Sequence, residues 1–318
     1  MIYPLITVGI TCYNAADTVA RAVEGALHQD YPNFEIVVVD DYSTDHSFDV
    51  LHECAKRFPD KIRVFKNDRN LGVAGTRNRL MAEARGEFLA FFDDDDDCSS
   101  ARLSIQYDKI MEYTADYKTK NIVCFGSGKK MYPNGYEFHF KAVGSERKPP
   151  VGDDMVRYHL MMDRPHDVFY GGGTPSCSMM ARTSVLQSVG GFDANMRRIE
   201  DSDICIRLGM SGAHFIGCPE EIILQYASEG GDKNPKAGYD AEVYLIDKYK
   251  EYLSSHGRYE YAKDWALVRF YHFSGQRGRA ILQVIKMGFV YPVLTLKRFL
   301  RAAPRRLIHE WKMKRNVR

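Results

Sequence analysis

Apolar runs and their polar interruptions alternate regularly through the first hundred residues. Leu5-Ile6-Thr7-Val8-Gly9-Ile10 is a β-branched run that continues to the turn residue Asn14. Val19, Ala22, Val23, Ala26 and Leu27 then recur at spacings of three and four, which predicts a helix. Phe34-Glu35-Ile36-Val37-Val38-Val39 is a second buried strand ending in Asp40-Asp41, and Ser43-Thr44-Asp45 can cap the helix after it. Ile62-Arg63-Val64-Phe65 is a third strand, Asn70 to Asn78 is a glycine-bearing turn into another helix, and Phe88–Phe92 is the fourth strand. Strands alternating with helices of this length predict a parallel α/β sheet. Ligands of such sheets bind beyond the carboxyl ends of the strands. Asn14, Asp41 and the residues after Phe92 fall at those ends and are expected to face one crevice.

The second half carries weaker signals. Asn121–Gly128 and Tyr136–Phe140 read as strands joined by the turn Pro133-Asn134-Gly135. A polar connection with Pro149-Pro150 fills residues 141–164. Gly171-Gly172-Gly173-Thr174-Pro175 suits either a close backbone approach to a ligand or a plain turn. His139, His159, His166 and His214 show no metal-ligand spacing and are assigned to surface or packing roles.

Composition fits a chain with a packed core: 318 residues, 45% hydrophobic, enough for one large domain and an appendage. The seven cysteines are scattered without a Cys-x-x-Cys pair, so reduced thiols and a cytoplasmic setting are expected. Cys12, Cys124 and Cys205 lie in apolar contexts and read as small core residues. The first strand starts within a few residues of Met1, so no signal peptide is expected.

Charge changes the picture in two places. The run Asp93-Asp94-Asp95-Asp96-Asp97 follows a buried strand. Neighbouring carboxylates about 5 Å apart repel by roughly 3 kcal/mol at an effective dielectric near 20. The run is either a solvated acidic turn or the seat of a hard divalent cation. An EF-hand does not fit, because the loop has no glycine at its sixth position and no glutamate at its twelfth. At the other end, residues 276–318 hold twelve Lys or Arg against Glu310 alone, a net of +11, whereas the rest of the chain carries −9. On a helix from Val293 to Ala303, Val293, Leu296, Phe299, Leu300 and Ala303 share one arc with Lys297, Arg298 and Arg301 beside it. This is the pattern of a helix lying on an anionic membrane. The other use of the arc is packing on the α/β domain or in a homodimer. Gln283, Lys286, Pro292 and Lys297 interrupt the stretch too often for a membrane span. No nucleic-acid motif accompanies the basic tail.

Taken in order, these motifs resemble the family 2 glycosyltransferases, which have the GT-A fold. The resemblance rests on Thr11-Cys12-Tyr13-Asn14, Val39-Asp40-Asp41-Tyr42-Ser43-Thr44-Asp45, Asn70-Leu71-Gly72 with Thr76-Arg77-Asn78, the acidic run in place of an Asp-x-Asp-Asp element, Val189-Gly190-Gly191-Phe192-Asp193, and Glu200-Asp201-Ser202-Asp203 leading to Leu208. It covers roughly residues 1–225. The chain departs from the family at Tyr42, where glycine or asparagine is common, and in the extra charge of Asp94 and Asp97.

The resemblance implies an α/β, GT-A-like Rossmann-type sheet, mostly parallel and flanked by helices, with a C-terminal helical appendage. The expected division is a transferase domain over 1–235 (nucleotide-sugar half 1–100, acceptor half 101–235) and a basic amphipathic region over 236–318. It implies an inverting, metal-dependent transfer from a nucleotide sugar, UDP-linked by expectation, to a saccharide or lipid-linked glycan. Surface polysaccharide building at the inner face of the cell membrane would suit it. Asp95, with Asp96 as second or alternate ligand, would hold Mn²⁺ or Mg²⁺. Asp93 would reach the ribose or bridge through water. Thr11, Tyr13, Asn14, Asp41, Arg77 and Asp94 complete the donor-binding set, Asp41 by accepting from the base and Arg77 by pairing with the diphosphate or orienting an acid. Asp201 would be the general base and Glu200 its neighbour. Without that resemblance, Glu200-Asp201 reads as an acid pair at a helix N-terminus and Asp203–Arg207 as an i,i+4 ion pair. A sugar-nucleotide pyrophosphorylase and a non-catalytic nucleotide-sugar-binding protein are the rival readings. The first would need a glycine-rich, arginine-bearing loop after its first strand, which Thr11–Asn14 is not.

Overall fold

A computed structural model describes residues 3–227, 234–298 and 300. The strands are β1 Ile6–Cys12, β2 Phe34–Asp40, β3 Ile62–Lys66, β4 Phe88–Asp93, β5 Asp97–Cys98, β6 Ile122–Met131, β7 Glu137–Phe140, β8 Met179–Arg182 and β9 His214–Tyr226. The helices are α1 Val19–Leu27, α2 Ser47–Arg57, α3 Gly72–Glu83, α4 Arg102–Tyr117, α5 Asp153–Met161, α6 Thr183–Ser188, α7 Glu200–Met210, α8 Pro235–Lys248, α9 Lys250–Ser255, α10 Tyr259–Phe273 and α11 Arg277–Val290. They fall into two compact units. One comprises Met1–Met131, Glu137–Val156 and Arg164–Tyr226, and the other Tyr132–Tyr136, Arg157–Asp163 and Ala227–Arg318.

The first unit is built on one sheet in the order β3-β2-β1-β4-β8-β6-β9-β5, with β7 on β6. β1, β2, β3 and β4 are mutually parallel, as their continuous apolar runs predict. Ile6, Val8, Ile10, Ile36, Val37, Val38 and Ala90 are fully buried, so both faces of this half are covered. Beyond β4 the sheet is mixed. β8 joins β4 and β6 antiparallel, β9 runs parallel to β6, and the two-residue β5 pairs antiparallel with β9. Register carries the chemistry. Thr11 stands beside Asp93 and Val39, and Cys12 beside Asp40, so three carboxyl ends meet at one edge. Cys12, Cys124 and Cys205 are buried as expected, the first two within the main apolar core.

The second unit centres on α10 and α11, where Tyr261, Trp265, Val268 and Met287 form a small core with Val284, Tyr291 and Leu294 against it. Asn234 caps α8 by accepting from the Ala237 N–H, with Pro235 at the first helical position. A further helical run occupies 292–298, with Pro292 at its start instead of inside a continuous helix. Phe299, Arg301 and Ala303 of the expected arc lie outside the described residues.

Candidate active site

Two loops at the carboxyl edge are tied together first. Asn14 takes the left-handed conformation (φ 50°) and its backbone N–H donates to Ser43 Oγ at 2.9 Å, while its Oδ1 accepts from the Thr44 N–H at 2.9 Å. The Asp41 N–H donates to Cys12 O at 2.8 Å. Tyr13 and Tyr42 stand on these two loops, each about half exposed, and Tyr42 is also left-handed (φ 64°). A bulky residue there costs energy that glycine would not.

Asp41 is buried and heavily engaged. Its Oδ1 accepts from Asn67 Nδ2 (2.8 Å) and the Leu71 N–H (2.7 Å), and its Oδ2 from the Gly72 N–H (2.8 Å). Asp41 therefore caps α3, a role its strand-end position did not suggest. Gly72 enters the helix at φ 75°, where a side chain would be strained.

Arg77, one turn into α3, is the centre of the site. It is 4% exposed. Its Nη1 donates to Glu200 Oε1 at 2.8 Å and Asp201 Oδ1 at 3.2 Å, and its Nη2 donates to Asp93 Oδ1 at 3.3 Å. The rings of Phe91 and Phe192 lie 6.0 and 5.5 Å from the guanidinium. Asn78 pins the Phe192 backbone from both sides, donating to its carbonyl and accepting from its N–H. Glu200 and Asp201 open α7 after the left-handed Ile199 (φ 57°). Ser176 Oγ donates to Asp201 Oδ1, the oxygen Arg77 also holds. Asp203 and Arg207 form the structural pair, with Nη2 to Oδ2 at 2.7 Å, and Arg207 Nη1 also reaches Val189 O.

The acidic run is distributed among different partners. Asp94 Oδ2 accepts from the Tyr13 N–H (2.9 Å), the Asp95 carbonyl from Arg21 (2.7 Å), and Asp96 from the Tyr226 N–H (3.1 Å) and Gln225 Nε2 (3.2 Å). Asp97 pairs with Arg21 at 3.5 Å. Beneath the run Arg102, 2% exposed, donates to Phe91 O and Gln106 Oε1 and stacks on Phe92 at 4.0 Å. Carboxylate oxygens of Asp93 and Asp96 and the Cys177 sulfur lie within 4.8 Å of one another. Two carboxylates converging in this way suit a hard divalent cation. The Asp95 side chain is not part of that trio.

Burial acts on these acids. It pushes Asp94 up to about 7 against the Tyr13 N–H, and Asp96 up to about 7 with help from the charges of Asp93 and Asp95. Burial also raises Asp93, despite Arg77. Glu200 is raised by burial and then by the charge of Asp201. Groups with raised values hold their protons more tightly in the folded chain. Their contribution to stability is present below the ordinary carboxylate range and is lost as pH rises through about 7. In EDTA, thermal unfolding is therefore expected at lower temperature near pH 8 than near pH 5, and Asp94→Asn with Asp96→Asn should flatten the difference. A wild-type Tm that is level or rises between those pH values would refute these assignments.

The structure thus gathers Asp93, Arg77, Glu200 and Asp201 into one cluster and sets Asp96 next to Asp93. Tyr13 is tied to the run by its N–H, while Thr11, Asn14 and Asp41 line the adjoining edge. Sequence reasoning missed Ser176, Cys177, Gln225, Arg21 and Arg102. Only the first two had a signal, since they follow the glycine stretch that ends in Pro175.

This arrangement has known counterparts. The profile described as "Glycosyl transferase family 2" matches residues 7–182, more than half of the chain. The chain belongs to glycosyl transferase family 2. As a member of that family it is a glycosyltransferase, and its curated relatives include the Escherichia coli UDP-Glc:alpha-D-GlcNAc-diphosphoundecaprenol beta-1,3-glucosyltransferase WfaP, 28% identical over 210 residues, 65% of this chain and 70% of that protein. Among solved structures, Staphylococcus aureus TarS residues 1–349 in complex with UDP superposes with a TM-score of 0.59 at 19% identity, covering 86% of this chain and 73% of that one. The mannosyltransferase PcManGT from Pyrobaculum calidifontis, in complex with GDP-Man and Mn²⁺, gives 0.58 at 17% identity, covering 99% and 85%. The fold is GT-A, as the strand pattern and motifs imply, and the family assignment sets the pyrophosphorylase reading aside.

Proposed function

We propose that this family 2 enzyme is a metal-dependent, inverting glycosyltransferase. It takes a sugar from a UDP-linked donor and passes it to a saccharide or lipid-linked glycan, in surface polysaccharide assembly at the inner face of the membrane. Residues 1–235 form the transferase domain and 236–318 the appendage that meets anionic lipid. The observation that carries this reading is Arg77, whose one guanidinium joins Asp93 of the acidic run to Asp201 of α7. The end of the donor strand and the proposed base therefore lie one side chain apart. The donor of WfaP and its diphosphoundecaprenol-linked acceptor support the donor and acceptor classes.

The base and ribose of the donor lie along Thr11, Tyr13, Asn14, Asp41 and Asp94. Asp41 retains a lone pair on Oδ2 for the base. Asp95 and Asp96, with Asp93 beside them, would hold Mn²⁺ or Mg²⁺. A cation there supplies Lewis-acid stabilisation to the departing diphosphate. Arg77 and Ser176 both occupy Oδ1 of Asp201, which leaves Oδ2 to receive the proton. As the acceptor oxygen bonds to the anomeric carbon, its proton passes to Asp201 and the sugar–phosphate bond breaks with its electron pair on UDP.

Calorimetry tests the donor end. UDP affinity is expected to rise about tenfold, some 1.4 kcal/mol, on adding Mn²⁺, and Asp95→Ala should remove that gain. Asp41→Ala should weaken UDP even in EDTA. Equal affinity with metal and with EDTA would overturn the metal role.

A further inference from the structure

Among the described residues, α11 is amphipathic with its apolar stripe turned outward. Ala280 and Met287 are buried, and Val284 packs on α10. On the opposite side Ile281, Leu282, Ile285 and Phe289 are exposed by 61, 67, 51 and 85%. At 100° per residue these four span about one quarter of the helix circumference. In the run after Pro292, Val293, Leu296 and Leu300 are likewise 60–62% exposed. A surface helix of a soluble unit ordinarily turns polar residues outward, and contiguous apolar patches of this kind mark interaction sites.

We infer that this face of α11 and the following run seats in the interfacial layer of an anionic lipid surface. The inference deepens the proposed membrane association and rests on it. Charge selects the occupant. Arg279 and Lys286 flank the stripe, and residues 276–318 carry a net of +11. Two copies meeting through this surface would bring like charge together, whereas anionic headgroups complement it. One cation is withdrawn from that task. Arg298 stacks 4.4 Å over Trp265 inside the second unit, where burial lowers its affinity for a proton. The exposed side chains of Ile281, Leu282, Ile285 and Phe289 add an apolar part to the attachment, so binding should resist salt more than a purely electrostatic tail would.

The test uses the full chain and sedimentation with vesicles of phosphatidylcholine containing phosphatidylglycerol. Wild type is expected to partition onto them, and raising salt from roughly 50 to 500 mM should weaken binding by less than about tenfold, although the Debye length falls severalfold. Ile285→Asp with Phe289→Asp should weaken it by more than about tenfold. Lys286→Gln with Arg279→Gln should cost less. Because Ile285 and Phe289 are exposed, the circular dichroism and UDP affinity of the Asp variant should match wild type. A loss of UDP binding in the wild type itself would instead strike the donor reading. Retained vesicle binding by the Asp variant overturns the inference. So does a wild type that stays in the supernatant, including one that sediments as a dimer which the Asp variant disperses.

Discussion

Asp201→Asn is expected to lower sugar transfer by about 10²–10⁴ while leaving UDP affinity near wild type. Asparagine keeps the size of the side chain and an oxygen on which Arg77 and Ser176 can converge, but it cannot take the acceptor's proton. Its effect should therefore appear in kcat and not in donor binding. Glu200→Gln should do less. Glu200 is buried against Arg77 Nη1, so its contribution is to fix the guanidinium that fixes Asp201. In a single displacement no sugar becomes attached to the protein, and mass spectrometry of the wild-type enzyme incubated with donor should show no glycosylated Asp201 peptide. Transfer by Asp201→Asn at the wild-type rate would remove it as the base.

Arg77→Met carries the second large effect, this time on stability. The methionine fills much of the same space between Phe91 and Phe192 but leaves Asp93, Glu200 and Asp201 facing one another without their cation. Removing one partner of a buried ion pair costs about 3–5 kcal/mol, because a desolvated charge is left behind. Here the cost should depend on pH. Burial raises the proton affinity of both Asp93 and Glu200, and without Arg77 they can shed charge by taking up protons in acid. Urea unfolding should thus show a larger deficit near pH 8 than near pH 5. A variant with wild-type stability at both would mean that Arg77 does not hold the cluster together.

The parts legible in the sequence were those written in local patterns. β1 to β4 are continuous apolar runs closed by turn chemistry, so their positions followed within a residue or two. The site residues at their ends followed because strands of a parallel sheet all end on the same side. Asp203–Arg207 was visible as an i,i+4 pair. What escaped depends on long-range partners. Asp97–Cys98 is a strand only because Leu224 and Ile223 lie opposite it. β8 and β9 enter with mixed orientations that no local run encodes. Arg102 looks like any helix-start arginine, yet it is buried on Phe92 and holds the Phe91 carbonyl beneath the acidic run. Gln225 lies at the end of β9 without a motif, and its amide fixes both Asp96 and Cys177. The strand-end position of Asp41 points only to the base, although the N–H groups of Leu71 and Gly72 make it a helix cap as well. In the tail, Pro292 opens the helical run that contains the first part of the expected Val293–Ala303 arc. The outward apolar face begins earlier, at Ile281, and Arg298 turns inward onto Trp265.

Proton NMR of donor turnover decides whether this site performs metal-dependent transfer with inversion. The enzyme is incubated with Mn²⁺ and UDP-glucose or UDP-GlcNAc, with water as the acceptor, and the sugar is observed before it equilibrates between anomers. The donors are α-linked, so the β-anomer is expected first, formed only with metal and lost in Asp201→Asn. First appearance of the α-anomer, or equal turnover in EDTA, would contradict the account.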